Sequence, residues 1–255
     1  MSKVLYSKPY LSYAEQFFKV NSNFETVFNL YKFDRELRKL VIAELEKIEV
    51  AIRSKMAYLL STTHGSFWIE DETLFANRTI YQAVFAKICE ELSRRDDDVI
   101  LSFKSKYSNP FPPSYILMEI TSFGTLLRLY NNLLPGKLKK EIATAFGLPD
   151  AVFTSWLHSI VSIRNVCAHH ERLWNRKLRI QPLFPRKTHH TWLMDKHVGN
   201  NRIYYVFSMM IYLLNSINPQ YTFKQKLESL FLKYPNVDKT AMGFPINWQN
   251  EPLWK

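Results

Sequence analysis

Residues 24–60 read FETVFNLYKFDRELRKLVIAELEKIEVAIRSKMAYLL, and this stretch gives the clearest indication of the fold. Its apolar residues recur at spacings of three and four, which is the period of one helix face. The predicted buried face consists of Leu37, Val41, Leu45, Ile48, Ile52 and Met56. Charged residues such as Glu46, Glu49 and Arg53 line another face. The stretch therefore predicts one long amphipathic helix.

The same helical period continues along the rest of the chain. The sequence has only six glycines, and no strand-length run alternates convincingly, so the fold is predicted to be all-α. Further helices are predicted over about 79–93, 115–133, 137–146, from 150 onward, 201–215 and 223–234. The polar stretch that follows Trp174 and runs through His197 predicts an irregular surface segment. The tail, GFPINWQNEPLWK, predicts a non-helical end that docks by its aromatic side chains.

The length of 255 residues fits one large helical domain or two small ones, and we predict a single helical domain over residues 1–255. A hydrophobic content of 47% is enough for a sizeable core. The two cysteines form no CxxC pair, which favours a reducing compartment. The first residues, MSKVLYSKPY, contain no apolar run typical of a secretory signal. The apolar stretch 203–214 is shorter than the ~20 residues that span a bilayer. We therefore expect a cytoplasmic protein with no membrane partner.

The formal charge of +11 would attract a polyanion, and RNA or DNA is the partner that it favours. An anionic membrane surface is the rival partner. No predicted helix combines a basic face with a strongly apolar one, so the membrane alternative is the weaker of the two.

The predicted helix that starts near Asp150 turns from apolar to polar at its end. There it reads RNVCAHHER over residues 164–172. From Arg164 to Lys187 the chain holds seven Lys or Arg residues and one acid, Glu171. This is the strongest local basic cluster in the sequence.

Helical geometry separates the two most reactive candidates of this run. At ~100° per residue, Asn165, His169 and Arg172 share one face, whereas Arg164 and His169 lie about 140° apart. Two copies of the chain facing each other across a two-fold axis would bring both residue types together, which predicts a homodimer. The simpler alternative is that Arg164 pairs with Glu46 or Glu49 and that His169 is a helix-terminal cation.

Several segments, in order along the chain, resemble bacterial abortive-infection Abi proteins of the AbiD/AbiF type, which belong to the HEPN-like ribonuclease superfamily. They are KPYLSYAEQ (8–16), FDRELRKL (33–40), LEKIEVAIRS (45–54), PPSYILMEITSFGTL (112–126), RNVCAHHERLWNR (164–176) and MGFPINW (242–248). The chain departs from the pattern between KPYLSYAEQ and FETVFNLYKFD, where longer members carry a helical stretch.

The resemblance implies a HEPN-like helical domain and a phage-defence endoribonuclease that needs no metal or other cofactor. Arg164 and His169 would be its catalytic pair, with Asn165 as a positioning residue. Histidine titrates near neutrality and can accept or donate the reacting protons, and arginine offers a fixed fork to phosphate oxygens. The motif has no carboxylate cluster of the kind that two-metal nucleases use.

Contacts to the RNA are predicted for residues around and after the motif. They are His170, Arg172, Trp174, Arg176, Lys177 and Arg179. His170 points away from His169, so a supporting or structural role is its alternative. Trp174 would stack on a base, but a role in the core or in an interface is the stronger expectation. For each of the four cations, an ordinary solvated surface is the alternative.

Other functions remain open as alternatives. The first is a non-catalytic protein that uses the same basic site to hold a small structured noncoding RNA. The second is a helical interaction module with a relict motif. Cys167 and His170 have a spacing that suits two zinc ligands, but no second pair accompanies them. The run Asp96–Asp98 predicts a solvated turn.

Overall fold

The computed structural model describes residues 23–255, and this part of the chain is all-α, as predicted. Its α-helices are α1 (Phe24–His64), α2 (Arg78–Ser93), α3 (Asp98–Lys106), α4 (Ser114–Ile120), α5 (Phe123–Asn132), α6 (Lys137–Thr144), α7 (Asp150–Ala168), α8 (Ile203–Ile217) and α9 (Phe223–Lys233). Short 3-10 helices cover Trp68–Glu70, Glu72–Leu74, Thr240–Met242 and Trp248–Asn250. The segments MSKVLYSKPY and KPYLSYAEQ lie outside the described residues.

Helix α1 confirms the predicted long helix. The six residues of the predicted apolar face are all fully buried. At its start, the Asn23 side chain accepts a hydrogen bond from the backbone N–H of Thr26 at 2.8 Å, which pairs one of the amide groups that a helix leaves open at its first turn.

The chain divides into two compact units. Of the described residues, unit 1 holds 23–47 together with Ser162–Phe184 and His190–Lys255, and unit 2 holds Ile48–Val161 and Pro185–His189. The prediction of one domain over residues 1–255 stays a prediction.

In unit 2, the predicted single helix over 115–133 is wrong, because two helices, α4 and α5, occupy this stretch. The Thr121 hydroxyl donates to the Leu117 carbonyl at 2.6 Å. The Ser122 side chain then accepts from the backbone N–H of Thr125, which makes Ser122 the N-cap of α5. Arg53 of α1 donates to the Thr121 carbonyl at 2.7 Å. Capping at adjacent residues thus ends one helix and begins the next.

Unit 2 also contains a helix that the sequence analysis did not predict, α3. The run Asp96–Asp98 is exposed, as expected for a solvated turn. The Asp97 side chain, however, accepts from the backbone N–H of Ile100 at 3.2 Å and caps α3. The acidic run is therefore the start of a helix.

Unit 1 is built around α8, in which every residue from Ile203 to Leu214 is buried. The tail docks on this helix by its aromatic side chains, as predicted. The Trp254 ring stacks on Tyr204 with centroids 5.3 Å apart, and its indole N–H donates to the Ser208 hydroxyl at 3.1 Å. Gly243 has a φ of 88°, and a Cβ there would come within 2.5 Å of the Arg202 Cβ, so the close approach of the tail requires glycine.

Between α7 and α8 the chain is irregular, which confirms the predicted surface segment. The Tyr205 hydroxyl donates to the Leu183 carbonyl at 3.1 Å, and the Asn200 side chain donates to the Pro182 carbonyl at 2.8 Å. These bonds attach the segment to unit 1 without regular structure. Across residues 23–255, no helix combines the length and apolar character that a bilayer span needs.

Candidate active site

The motif lies at the carboxyl end of α7, in unit 1, where the helix stops abruptly. The backbone N–H of His170 donates to the Cys167 carbonyl at 3.2 Å, and that of Glu171 donates to the Val166 carbonyl at 3.0 Å. His170 has a φ of 57°. This pair of bonds around a left-handed residue is a Schellman motif, which terminates a helix.

The position of this helix end corrects one prediction. The shared face of Asn165, His169 and Arg172 requires a helix that runs through Arg172, but α7 ends at Ala168. Arg172 follows the left-handed turn at His170, so it leaves the direction of the helix and does not share that face.

The catalytic candidates lie around the last turn of α7 and differ in exposure. Asn165 and His169 are exposed, and Arg164 is half-buried. The backbone N–H of His169 donates to the Asn165 carbonyl at 2.9 Å, so the helical spacing still relates these two residues and places them on one face. Val166 and Cys167 are buried beneath them. The helix end thus presents an amide and an imidazole to solvent beside a partly covered guanidinium group.

After the turn, the chain returns to the core through Leu173 and Trp174, which are both buried. Their backbone N–H groups donate to the Asp34 carboxylate, Leu173 at 3.0 Å. Asp34 is itself fully buried on α1 and forms an ion pair with Arg38. This contact joins α1 to the segment that follows the motif.

Asp34 and Arg38 were not predicted as functional residues, although the sequence carries a signal for Asp34. Asp34 precedes Leu37 by three residues and Val41 by seven, so it falls on the apolar face of α1. A charged residue on such a face is buried and needs a partner. Arg38, four positions on, is one partner. The backbone N–H of Leu173 is another, but it lies 139 positions away, so no local pattern identifies it.

Trp174 takes the core role that was its stronger expectation. The side chain is 3% exposed, and its indole N–H donates to the Asp238 carbonyl at 3.1 Å. Its ring faces are covered by protein in this arrangement, so they do not offer a surface on which a base could stack.

The four predicted phosphate contacts fall into two groups. Arg176 forms an ion pair with Glu171 and donates to the Arg172 carbonyl at 2.9 Å. Arg172 and Arg176 therefore take part in contacts that stabilise the turn. Lys177 and Arg179 are exposed, as is His170. The most exposed of the four cations, Lys177 and Arg179, thus lie several residues after the turn in the sequence.

Cys167 gives a direct test of the packing beneath the motif. Burial raises the pKa of its thiol to about 12, the guanidinium groups of Arg38 and Arg176 oppose this rise, and Asp34 adds to it. Because the thiolate is the nucleophile, a thiol with a pKa raised this far stays unreactive at pH 8. We expect iodoacetamide at pH 8 to leave Cys167 unmodified in the native protein and to modify it in urea, as read by mass spectrometry of the peptide. Rapid native alkylation would contradict the buried placement.

Within residues 23–255, no group of three or more His, Cys, Asp or Glu side chains is arranged to hold a metal ion. Cys167 is buried, whereas His170 is exposed on the turn. The suggested pair of zinc ligands is thus divided between the core and the surface.

A family model described as "Abi-like protein" matches residues 4–175. The match covers more than half of the chain and includes α1, the motif and the turn after it. Searches of curated proteins and of solved structures give no match.

Proposed function

Because the chain belongs to the Abi-like protein family, we propose that it is a phage-defence endoribonuclease that cuts RNA at the Arg164–His169 motif without a metal ion. Membership of the family supports the coarser statement, a role in abortive infection. The observation that carries the finer one is the exposed end of α7, where His169 and Asn165 face solvent beside Arg164.

The side chains of the motif suit cleavage by the RNA's own 2′-hydroxyl group. In this reaction a bond forms between the 2′-oxygen and phosphorus, and the bond from phosphorus to the 5′-oxygen breaks. The 2′-hydroxyl loses a proton and the leaving oxygen gains one, and imidazole can serve in either transfer. The Arg164 guanidinium would hold the phosphate oxygens as negative charge builds up on them. The Asn165 amide would orient the same group.

One chain supplies one His169, although the reaction has two proton transfers. At ideal helical spacing, Arg164 and His169 would also lie about 140° apart around the helix axis. A two-fold dimer with the two motifs at its axis would supply a second imidazole, so that one accepts a proton and the other donates one. It would also bring the Arg164 of one chain near the His169 of the other. The proposed active form is therefore a homodimer.

The exposed cations after the turn, Lys177 and Arg179, would bind the RNA backbone. Arg172, Arg176 and His170 would contribute where RNA reaches the turn itself. Such contacts are independent of base sequence and weaken as salt is added.

The test of this proposal is cleavage of a labelled single-stranded RNA in excess EDTA. We expect cleavage to persist, since imidazole and guanidinium replace the metal, and we expect products with a 2′,3′-cyclic phosphate and a 5′-hydroxyl. A 2′-O-methyl RNA of the same sequence is the matched control. It should bind and stay intact, because its nucleophile is blocked. Cleavage that requires magnesium, or equal cleavage of the control, would contradict the mechanism. Binding without any cleavage would favour the alternative of a noncoding-RNA-binding protein.

A further inference from the structure

Asp34 and Arg38 form a buried charged pair beside the segment that follows the motif. Asp34 is fully buried and Arg38 is 6% exposed. The Asp34 carboxylate accepts from Arg38 and from the backbone N–H groups of Leu173 and Trp174. A buried charge is tolerated when its hydrogen-bonding capacity is satisfied, and here three donors from two parts of the chain satisfy it.

The carboxylate fixes one end of a very short segment. Four residues, His169 to Arg172, separate the end of α7 at Ala168 from Leu173, the first of the two amides that Asp34 holds. At the other end, the Schellman bonds fix the path of the chain as it leaves the helix. A left-handed φ at a residue other than glycine is uncommon and persists where the surroundings hold it.

We propose that Asp34, held by Arg38, is a positioning residue for His169. It ties the chain three residues beyond the turn to α1, and it thereby keeps the end of α7, with its imidazole, in one place. The proposal rests on the ribonuclease function proposed above. A displacement of about 1 Å at a reacting group is enough to lower a rate ~10²-fold, so a tether this close to His169 affects the rate of cleavage.

The informative substitution is Asp34→Asn. Alanine would leave a cavity in the core and no acceptor for Arg38 at position 34, which together destabilise a fold strongly. Asparagine keeps the shape of the side chain and one acceptor oxygen. Its NH₂ group, however, is a donor, and it replaces the second carboxylate oxygen, which accepts a hydrogen bond in the wild-type protein. The variant therefore loosens the attachment of the segment and keeps the volume of the core.

Glu44→Gln is the matched control. Glu44 is also a fully buried carboxylate of α1, and it forms ion pairs with Lys47 at 2.7 Å and Lys226 at 3.4 Å. Lys47 lies on α1 and Lys226 lies on α9, so neither partner belongs to the motif or to the segment that follows it. The control removes the same kind of charge from the same helix without touching the segment after α7.

With RNA as substrate, we expect Asp34→Asn to lower kcat about 10²-fold with little change in KM, while Glu44→Gln leaves kcat within about threefold of the wild type. Equal kcat values for the two variants, at matched folded yield, would overturn the proposal.

Amide hydrogen exchange tests the attachment without any RNA. We expect the amides of Leu173 and Trp174 to be protected in the wild-type protein and to exchange faster in Asp34→Asn alone. Unchanged exchange in that variant would overturn the proposal. A wild-type protein that cuts no RNA would instead remove the proposed ribonuclease function, and the exchange result would still decide whether Asp34 fixes the segment.

Discussion

Replacing His169 with alanine should slow RNA cleavage by at least ~10² to 10⁴-fold, because that is the usual contribution of one residue that transfers a proton and the variant lacks both imidazoles of the proposed site. The imidazole is exposed at the end of α7, so its removal leaves no cavity in the core. The expected loss is in kcat, measured with the labelled RNA under saturating conditions. RNA binding should change little, because the exposed Lys177 and Arg179 remain.

The matched control is His170→Asn, one residue further along. His170 has a φ of 57°, and asparagine adopts this left-handed conformation more readily than alanine does. The variant therefore removes the second imidazole without disturbing the turn, and its cleavage rate should fall only partly. Equal losses from the two variants, at equal folded yield, would contradict the assignment of the proton transfers to His169.

The same pair of variants tests the simpler role for His169, a cation at a helix end. Such a cation interacts with the helix dipole and contributes up to about 1 kcal/mol at an exposed position. If that were its whole role, His169→Ala would lower the melting temperature slightly and leave the rate of cleavage unchanged. Thermal unfolding measured beside the kinetics separates the two roles.

The long helix α1 and the buried α8 were predictable from sequence because their apolar residues repeat over many turns. A repeat of this length outweighs local exceptions. The break between α4 and α5 was not predictable in the same way. Thr121 and Ser122 lie inside an apolar pattern that continues on both sides, and the break depends on side-chain caps and on Arg53 of a distant helix.

The sequence pattern predicted that α7 continues through Arg172, whereas the helix ends at Ala168, for a related reason. Helices commonly stop at a glycine in the left-handed position, but here that position is occupied by His170, which carries no such signal. The contact that holds the following segment comes from Asp34, far away in the sequence. The identities of Arg164, Asn165 and His169 as candidates came from the motif, whereas the tether that we propose for them came from tertiary contacts.

A dimer made of one wild-type chain and one His169→Ala chain should have less than about 1% of the wild-type activity. In the proposed two-fold site, the two imidazoles carry out different proton transfers of one reaction. Losing either one therefore removes the contribution of a general acid or base, ~10² to 10⁴-fold, even though the other chain is intact.

Two affinity tags, one on each chain, allow this mixed dimer to be isolated after co-expression. If each chain held a complete and independent site, the mixed dimer would retain about half of the wild-type activity, since one of two sites survives. The two models differ by at least ~50-fold under these estimates, which a single rate measurement resolves.

The control is a mixed dimer of wild-type and His170→Asn chains, which passes through the same two purification steps. It should keep most of the wild-type rate, and size-exclusion chromatography should show the same mass for both mixed dimers. Half activity in the His169→Ala mixed dimer would contradict a shared site. An active protein that stays monomeric at the assay concentration would do the same, because a monomer presents one His169 and would have to complete both proton transfers with other groups.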